Sequence, residues 1–225
     1  MAPGSTLRAL TLLAPLVCSA HEAITTKLTW TQEISRIVYK HCASCHREGG
    51  AAPMSLLTYD EARPWAKAIR EEVAERRMPP WGAVKGFEDF RHDASLSDPE
   101  IEMIVLWVEG GAPKGDEMYM PPVPAPEIRK PASPPRGLTI RGETTLTRGV
   151  TITGVAPREM QLNARMQIIA RLPDGSVENL LWLRNHRTEW KRSFYFREAV
   201  TLPKGTLIAV HPSGAAVILT GKPGQ

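Results

Sequence analysis

Apolar positions recur at helical intervals in the first half of the chain and alternate as strands do in the second. Ile34, Ile37, Val38 and His41 fall at i, i+3, i+4 and i+7, which predicts a helix running directly into Cys42. Thr58-Tyr59-Asp60-Glu61 has the spacing of a capping box. The helix it opens would put Ala62, Trp65, Ala66, Ile69 and Val73 on one face, with Pro64 tolerated only in the first turn. Ser97-Asp98-Pro99-Glu100 is a second capping box. It leads a stripe of Ile101, Ile104, Val105 and Val108 with Trp107 beside it, ended by Gly110-Gly111. Met120 to Arg136 then holds seven prolines, which exclude a helix or a central strand and favour an extended, semi-rigid spacer. Beyond it come β-branched runs. Thr144 to Thr153 is one; Met166 to Leu172 and Val177 to Leu183 flank the turn Pro173-Asp174-Gly175. Ser193 to Phe196, Thr206 to Val210 and Ala216 to Thr220 complete the set, with a turn at Leu202 to Gly205.

The pattern predicts two domains: an all-α unit over 23–118 and, after a linker at 119–136, an antiparallel β-sandwich or jelly-roll-like unit over 137–225. A hydrophobic fraction of 42% suffices for a packed core. Residues 1–20 read as a secretory signal, with Arg8, an apolar run from Ala9 to Val17, and the small-x-small pattern Cys18-Ser19-Ala20. The run is shorter than the roughly twenty residues a membrane span requires. Cleavage after Ala20 is the expected processing; the other reading is a lipid anchor on Cys18. An exported, periplasmic protein is implied. Charge divides with the domains. His21 to Met120 has 12 Lys+Arg against 17 Asp+Glu, and Pro121 to Gln225 has 15 against 7. The basic half carries no helix-borne basic stripe, so nucleic acid is excluded as a partner. Opposite charge on two halves suits protein docking.

Three cysteines are too few for a disulfide framework. Cys42-Ala43-Ser44-Cys45-His46 is C-x-x-C-H, the attachment signal of c-type haem. Each thiol adds to one vinyl group of the porphyrin, two residues of spacing let both reach one edge, and the adjacent imidazole becomes an iron ligand. A thioredoxin-like dithiol would follow a strand, whereas a helix leads in here, and a zinc site would need a second pair of ligands. For the other axial position the candidates in the first domain are Met54, Met78, Met103, Met118 and Met120. Met78 stands in Arg76-Arg77-Met78-Pro79-Pro80-Trp81, where two prolines stop the preceding helix and stiffen the loop. Met103 lies mid-helix, Met54 too near the motif, and Met118 and Met120 at the linker on the solvent side. Trp65, Trp81 and Trp107 are candidate walls of a haem pocket, and Arg63, Arg70 and Arg77 candidate partners of its propionates. His41 and His92 have no partner pattern.

The stretch Ile34 to Gly115 resembles the mono-haem cytochrome c modules fused to copper type II, ascorbate-dependent monooxygenase-like domains. The resemblance rests on CASCHREGGAAPMSLLTYDEARPWAKAI, RRMPPW and WVEGGAPKGD. It implies one covalent haem c on Cys42 and Cys45, with His46 and Met78 as axial ligands. The C-terminal half is similar to the second lobe of those monooxygenase domains in RLPDGS, Trp190 and LPKGT. It departs from them where the copper ligands belong. Ala156-Pro157-Arg158-Glu159-Met160 replaces a His-x-His pair, no methionine follows Met166, and the isolated His186 and His211 do not make a copper site. Copper is therefore not expected. The reading is a one-electron carrier with redox-protein partners and a β domain, without catalytic ligands, used for docking. Two alternatives stand beside it: a haem- or copper-dependent oxidoreductase, and a redox-sensing adaptor.

Overall fold

The computed structural model describes residues 26–126, 135–160, 164–186 and 192–223. The proposed signal segment with Cys18, the middle of the proline-rich stretch, and Trp190 lie outside them. Both capping boxes form as the sequence predicts. A single π-helical turn, Trp30–Ile34, leads into α1 (Ser35–His41) and delivers the chain to Cys42. The second predicted helix is broken at its proline. Thr58 caps α2 (Tyr59–Ala62), a 3₁₀ turn spans Arg63–Trp65 with Pro64 early in it, and α3 (Ala66–Ala74) follows. That turn interrupts the 3.6-residue period. Ala62, Ala66 and Val73 reach the core, but Trp65 is thrown out to 44% exposure.

Two helix ends use the same device. After α3, Arg76 N–H bonds to Val73 and Arg77 N–H to Glu72, with Arg76 at φ 54°. After α4 (Asp98–Glu109), Gly111 N–H bonds to Val108 and Ala112 N–H to Trp107, with Gly111 at φ 91°. Both are Schellman closures. The first places arginine where glycine is favoured and turns the chain towards Met78. The helical core gathers Trp30, Ile34, Val38, Leu56, Ile104 and Trp107. Trp30 and Trp107 meet at 6.0 Å, and Trp107 Nε1 donates to the Pro113 carbonyl.

The second half forms two four-stranded antiparallel sheets. One has the order β1 (Gly137–Arg141), β8 (Ala216–Pro223), β3 (Val150–Glu159), β6 (Phe194–Leu202). The other runs β2 (Glu143–Thr145), β7 (Leu207–His211), β4 (Ala164–Arg171), β5 (Val177–His186). Ile140, Ile152, Val155, Met166, Ile168, Leu181, Phe194 and Val217 pack into one core between them. β4 and β5 pair around the expected turn, closed by Gly175 at φ 88° and by Asp174 accepting from Ser176. β1 lacks a legible signal: in Gly-Leu-Thr-Ile-Arg only Ile140 is buried, and Leu138 is 45% exposed.

The β core also holds residues from far upstream. Trp81 and Phe90 are 4% and 6% exposed and belong to it. Trp81 meets Phe194 at 5.1 Å, and Phe90 meets Phe194 at 5.5 Å and Phe196 at 5.7 Å.

Candidate functional site

The C-x-x-C-H motif closes as a tight turn on the end of α1. Cys42 N–H and Ala43 N–H both donate to the Val38 carbonyl, and Cys45 N–H and His46 N–H both donate to that of Cys42. The chain then folds back over the motif, with Ala52 N–H bonded to Cys45 and Leu56 N–H to His46. Gly50 allows this approach, since a Cβ there would run into the Cys45 carbonyl. Neither Cys42 nor Cys45 is in a disulfide, and both are half-buried. Burial, with Cys45 beside it, pushes the Cys42 thiol up to about 12. A thiol held protonated is the opposite of the low-pKa thiolate that disulfide exchange uses.

His46 Nδ1 lies 3.3 Å from the Met54 carbonyl, which accepts its hydrogen. That bond fixes the ring and leaves Nε2 available, an arrangement common to metal-bound imidazoles. Burial lowers the imidazole's pKa, and the Met54 carbonyl partly restores it, so the ring stays neutral at pH 7, as coordination demands. Met54 thus enters through its carbonyl rather than its sulfur. The Pro53-Met54 turn so soon after the motif was the available signal. Arg47, next to His46, donates to the carbonyls of Pro124 and Ala125 and ties the start of the proline-rich stretch to the motif.

Met78 leaves α3 with its N–H on the Glu72 carbonyl, 3.1 Å away. It borders a cavity of about 520 Å³ together with Leu96, Ile101, Trp81, Arg165 and Arg184. Ser95 Oγ, buried and without a hydrogen-bond partner, borders it too. Cys42, Cys45 and His46 are not among its lining residues. Of the other methionines, Met54, Met103 and Met120 pack partly against the helical core, and Met118 is 75% exposed. Met120 therefore departs from its expected solvent position.

The N-terminal turn of α4 ties the end of α1 to the segment that precedes Met78. Glu100 accepts from Ser97 N–H and Oγ, from Lys40 Nζ at 2.9 Å and from His41 Nε2 at 3.1 Å. Burial alone would raise its pKa. The bonds from Ser97, Lys40 and His41 outweigh that and hold it at about 2. Two residues earlier Asp98 pairs with Arg76 at 2.6 Å, beside Met78. His41, without a partner in the sequence reading, thus has two: its Nδ1 also meets the Ala94 carbonyl. The three candidate arginines bond within the protein: Arg63 to the Gly111 carbonyl, Arg70 to Glu109 and Arg77 to Glu72.

Residues 31–108 match the family model described as cytochrome C oxidase, cbb3-type, subunit III.

This match supports a mono-haem cytochrome c domain, and with it haem c as cofactor and electron transfer as the chemistry. It begins inside the π-helical turn, contains the motif and Met78, and ends in α4. No curated protein and no solved structure matches the chain. The motif's own features fit the group. The matched segment offers two thiols outside any disulfide on one turn and, next in the chain, a neutral, oriented imidazole. Among the described residues no helix is long and apolar enough to cross a membrane, and no three His, Cys, Asp or Glu side chains gather as a metal-ion site.

Proposed function

We propose that the protein is an exported c-type cytochrome with one covalent haem, working as a one-electron carrier. Cys42 and Cys45 would hold the haem through thioethers, and His46 and Met78 would be its axial ligands. The haem would supply the redox couple, with iron cycling between ferrous and ferric. The bond from His46 Nδ1 to the Met54 carbonyl carries this reading most directly, because it presents Nε2 of a neutral ring from a motif with no disulfide. The Met78 thioether would favour the ferrous state and raise the potential. With both axial positions filled, small molecules would be kept from the iron. We assign residues 1–20 to a signal segment, 23–118 to the haem domain, 119–136 to the linker and 137–225 to a β domain. That β domain is read as a monooxygenase-like lobe without copper ligands.

The charge asymmetry supports docking to redox partners, the acidic half and the basic half facing different proteins. The experiment for the ligand set is the optical spectrum of the ferric protein. Wild type should show the weak far-red band of methionine-ligated haem, and Met78→Ala should lose it. An unchanged spectrum in Met78→Ala would remove Met78 from the iron and open the site to small molecules, favouring an oxidoreductase. For docking, the test is the electron-transfer rate of the whole chain across ionic strengths; a flat profile would end that part of the reading.

A further inference from the structure

The segment after Met78 is built into the edges of the β domain. In each sheet one outer strand faces this segment: β5 in one and β6 in the other. Along β5, Arg184 N–H donates to the Gly82 carbonyl at 2.9 Å and Val84 N–H donates to the Trp182 carbonyl at 2.8 Å, with Ala83 bridged to Leu183. Phe87 sets its ring edge-on to Trp182 at 4.6 Å. Along β6, Arg197 N–H donates to the Asp89 carbonyl and Arg91 N–H to that of Tyr195, with Phe90 bridged to Phe196. One loop therefore satisfies backbone groups on the open edge of both sheets and seals the gap between them with Trp81 and Phe90.

Met78 stands three residues before Trp81, with Pro79 and Pro80 between. Three residues span at most about 11 Å, and two prolines remove most of the slack. On its other side Met78 is tied to Glu72 at the end of α3. Its position is thus set from both halves of the molecule.

We propose that the β domain is the positioning device for Met78, holding the loop that presents the thioether. This rests on the reading of Met78 as axial ligand. Val84, Phe87 and Trp81 act as positioning residues. They would act on the ligand through the loop.

The test uses the full haem-loaded chain. Val84→Pro deletes one donor to β5, and Phe87→Ala removes the ring against Trp182 while sparing the core. Ile140→Ala loosens the β core at β1, the opposite edge, as a control. Readouts are the far-red band, the reduction potential and the affinity of ferric iron for added imidazole, all below the melting temperature. Val84→Pro and Phe87→Ala should weaken the band, lower the potential and bind imidazole about tenfold more tightly, as loss of one hydrogen bond or ring contact implies. Ile140→Ala should leave all three at wild-type values. Wild-type values in both Val84→Pro and Phe87→Ala, or an equal shift in Ile140→Ala, would overturn the proposal. Met78→Ala, run alongside, reports separately on the ligand reading: if it matches wild type, that reading fails whatever the loop variants do.

Discussion

Removing the Glu100 carboxylate should loosen the helical half by an amount the structure allows one to work out. Glu100 is 16% exposed and the His41 side chain 6%, so their bond is shielded, whereas Lys40 at 67% is solvated. The capping box with Ser97 contributes about 1 kcal/mol. The bond from His41 adds about 1–2 kcal/mol, and the Lys40 pair at most ~0.5 kcal/mol. The sum is ~2–3.5 kcal/mol. Ionisation gives a second route. Holding the carboxyl at about 2 against its usual 4.5 corresponds to ~3 kcal/mol at about 1.4 kcal/mol per pH unit. The sign follows from the lowered value. The charge contribution is complete above the unfolded carboxyl's range near 4.5, and is lost as pH falls from there towards about 2. Glu100→Ala should therefore melt about 10 °C below wild type at pH 6 by far-UV circular dichroism, given a few degrees per kcal/mol for a domain of this size. The gap should narrow steadily between pH 4.5 and 2. Glu100→Gln, which can keep the cap but not the charge, should fall between the two. A gap that stays constant from pH 6 to pH 2 would refute the electrostatic part, and equal melting at pH 6 would refute the whole estimate.

Gly50→Ala should displace the loop over the motif and lower haem loading in a maturation-competent host, read as the ratio of haem absorbance to protein, because its Cβ collides with a backbone carbonyl that cannot yield. Phe194→Ala should destabilise the β half by about 3–5 kcal/mol in urea titration, as it leaves both Trp81 and Phe90 without their shared partner. A chain cut after residue 126 should bind more of a hydrophobic dye than the full chain and tend to aggregate, since Trp81 and Phe90 would lose the core that buries them; wild-type dye binding would contradict the shared core.

What the sequence made legible was local. The two capping boxes, the Gly110-Gly111 stop and the hairpin at Asp174-Gly175 are each decided within a few residues, and each formed. The motif was legible for the same reason: its chemistry lies in five consecutive residues. Trp65 leaves the predicted face because the 3₁₀ turn Arg63–Trp65 rotates it outward, whereas Ala66 and Val73 in α3 stay buried. The partners of His41 lie more than fifty residues away, and those of Phe90 in β6 more than a hundred, so no periodicity could reveal them. The loop from Trp81 to Arg91 has no strand alternation of its own; its role exists only where the edges of β5 and β6 leave backbone groups to be paired.

The whole account depends on thioether-bound haem at Cys42 and Cys45, and the intact mass of the purified chain, made in a host that matures c-type cytochromes, tests it most directly. The account predicts a red protein whose mass exceeds that of the processed chain by one haem and keeps it through acid-acetone extraction, with Cys42→Ser/Cys45→Ser losing the added mass. A colourless wild-type chain at its bare mass, from a host that loads a control cytochrome in parallel, would contradict it.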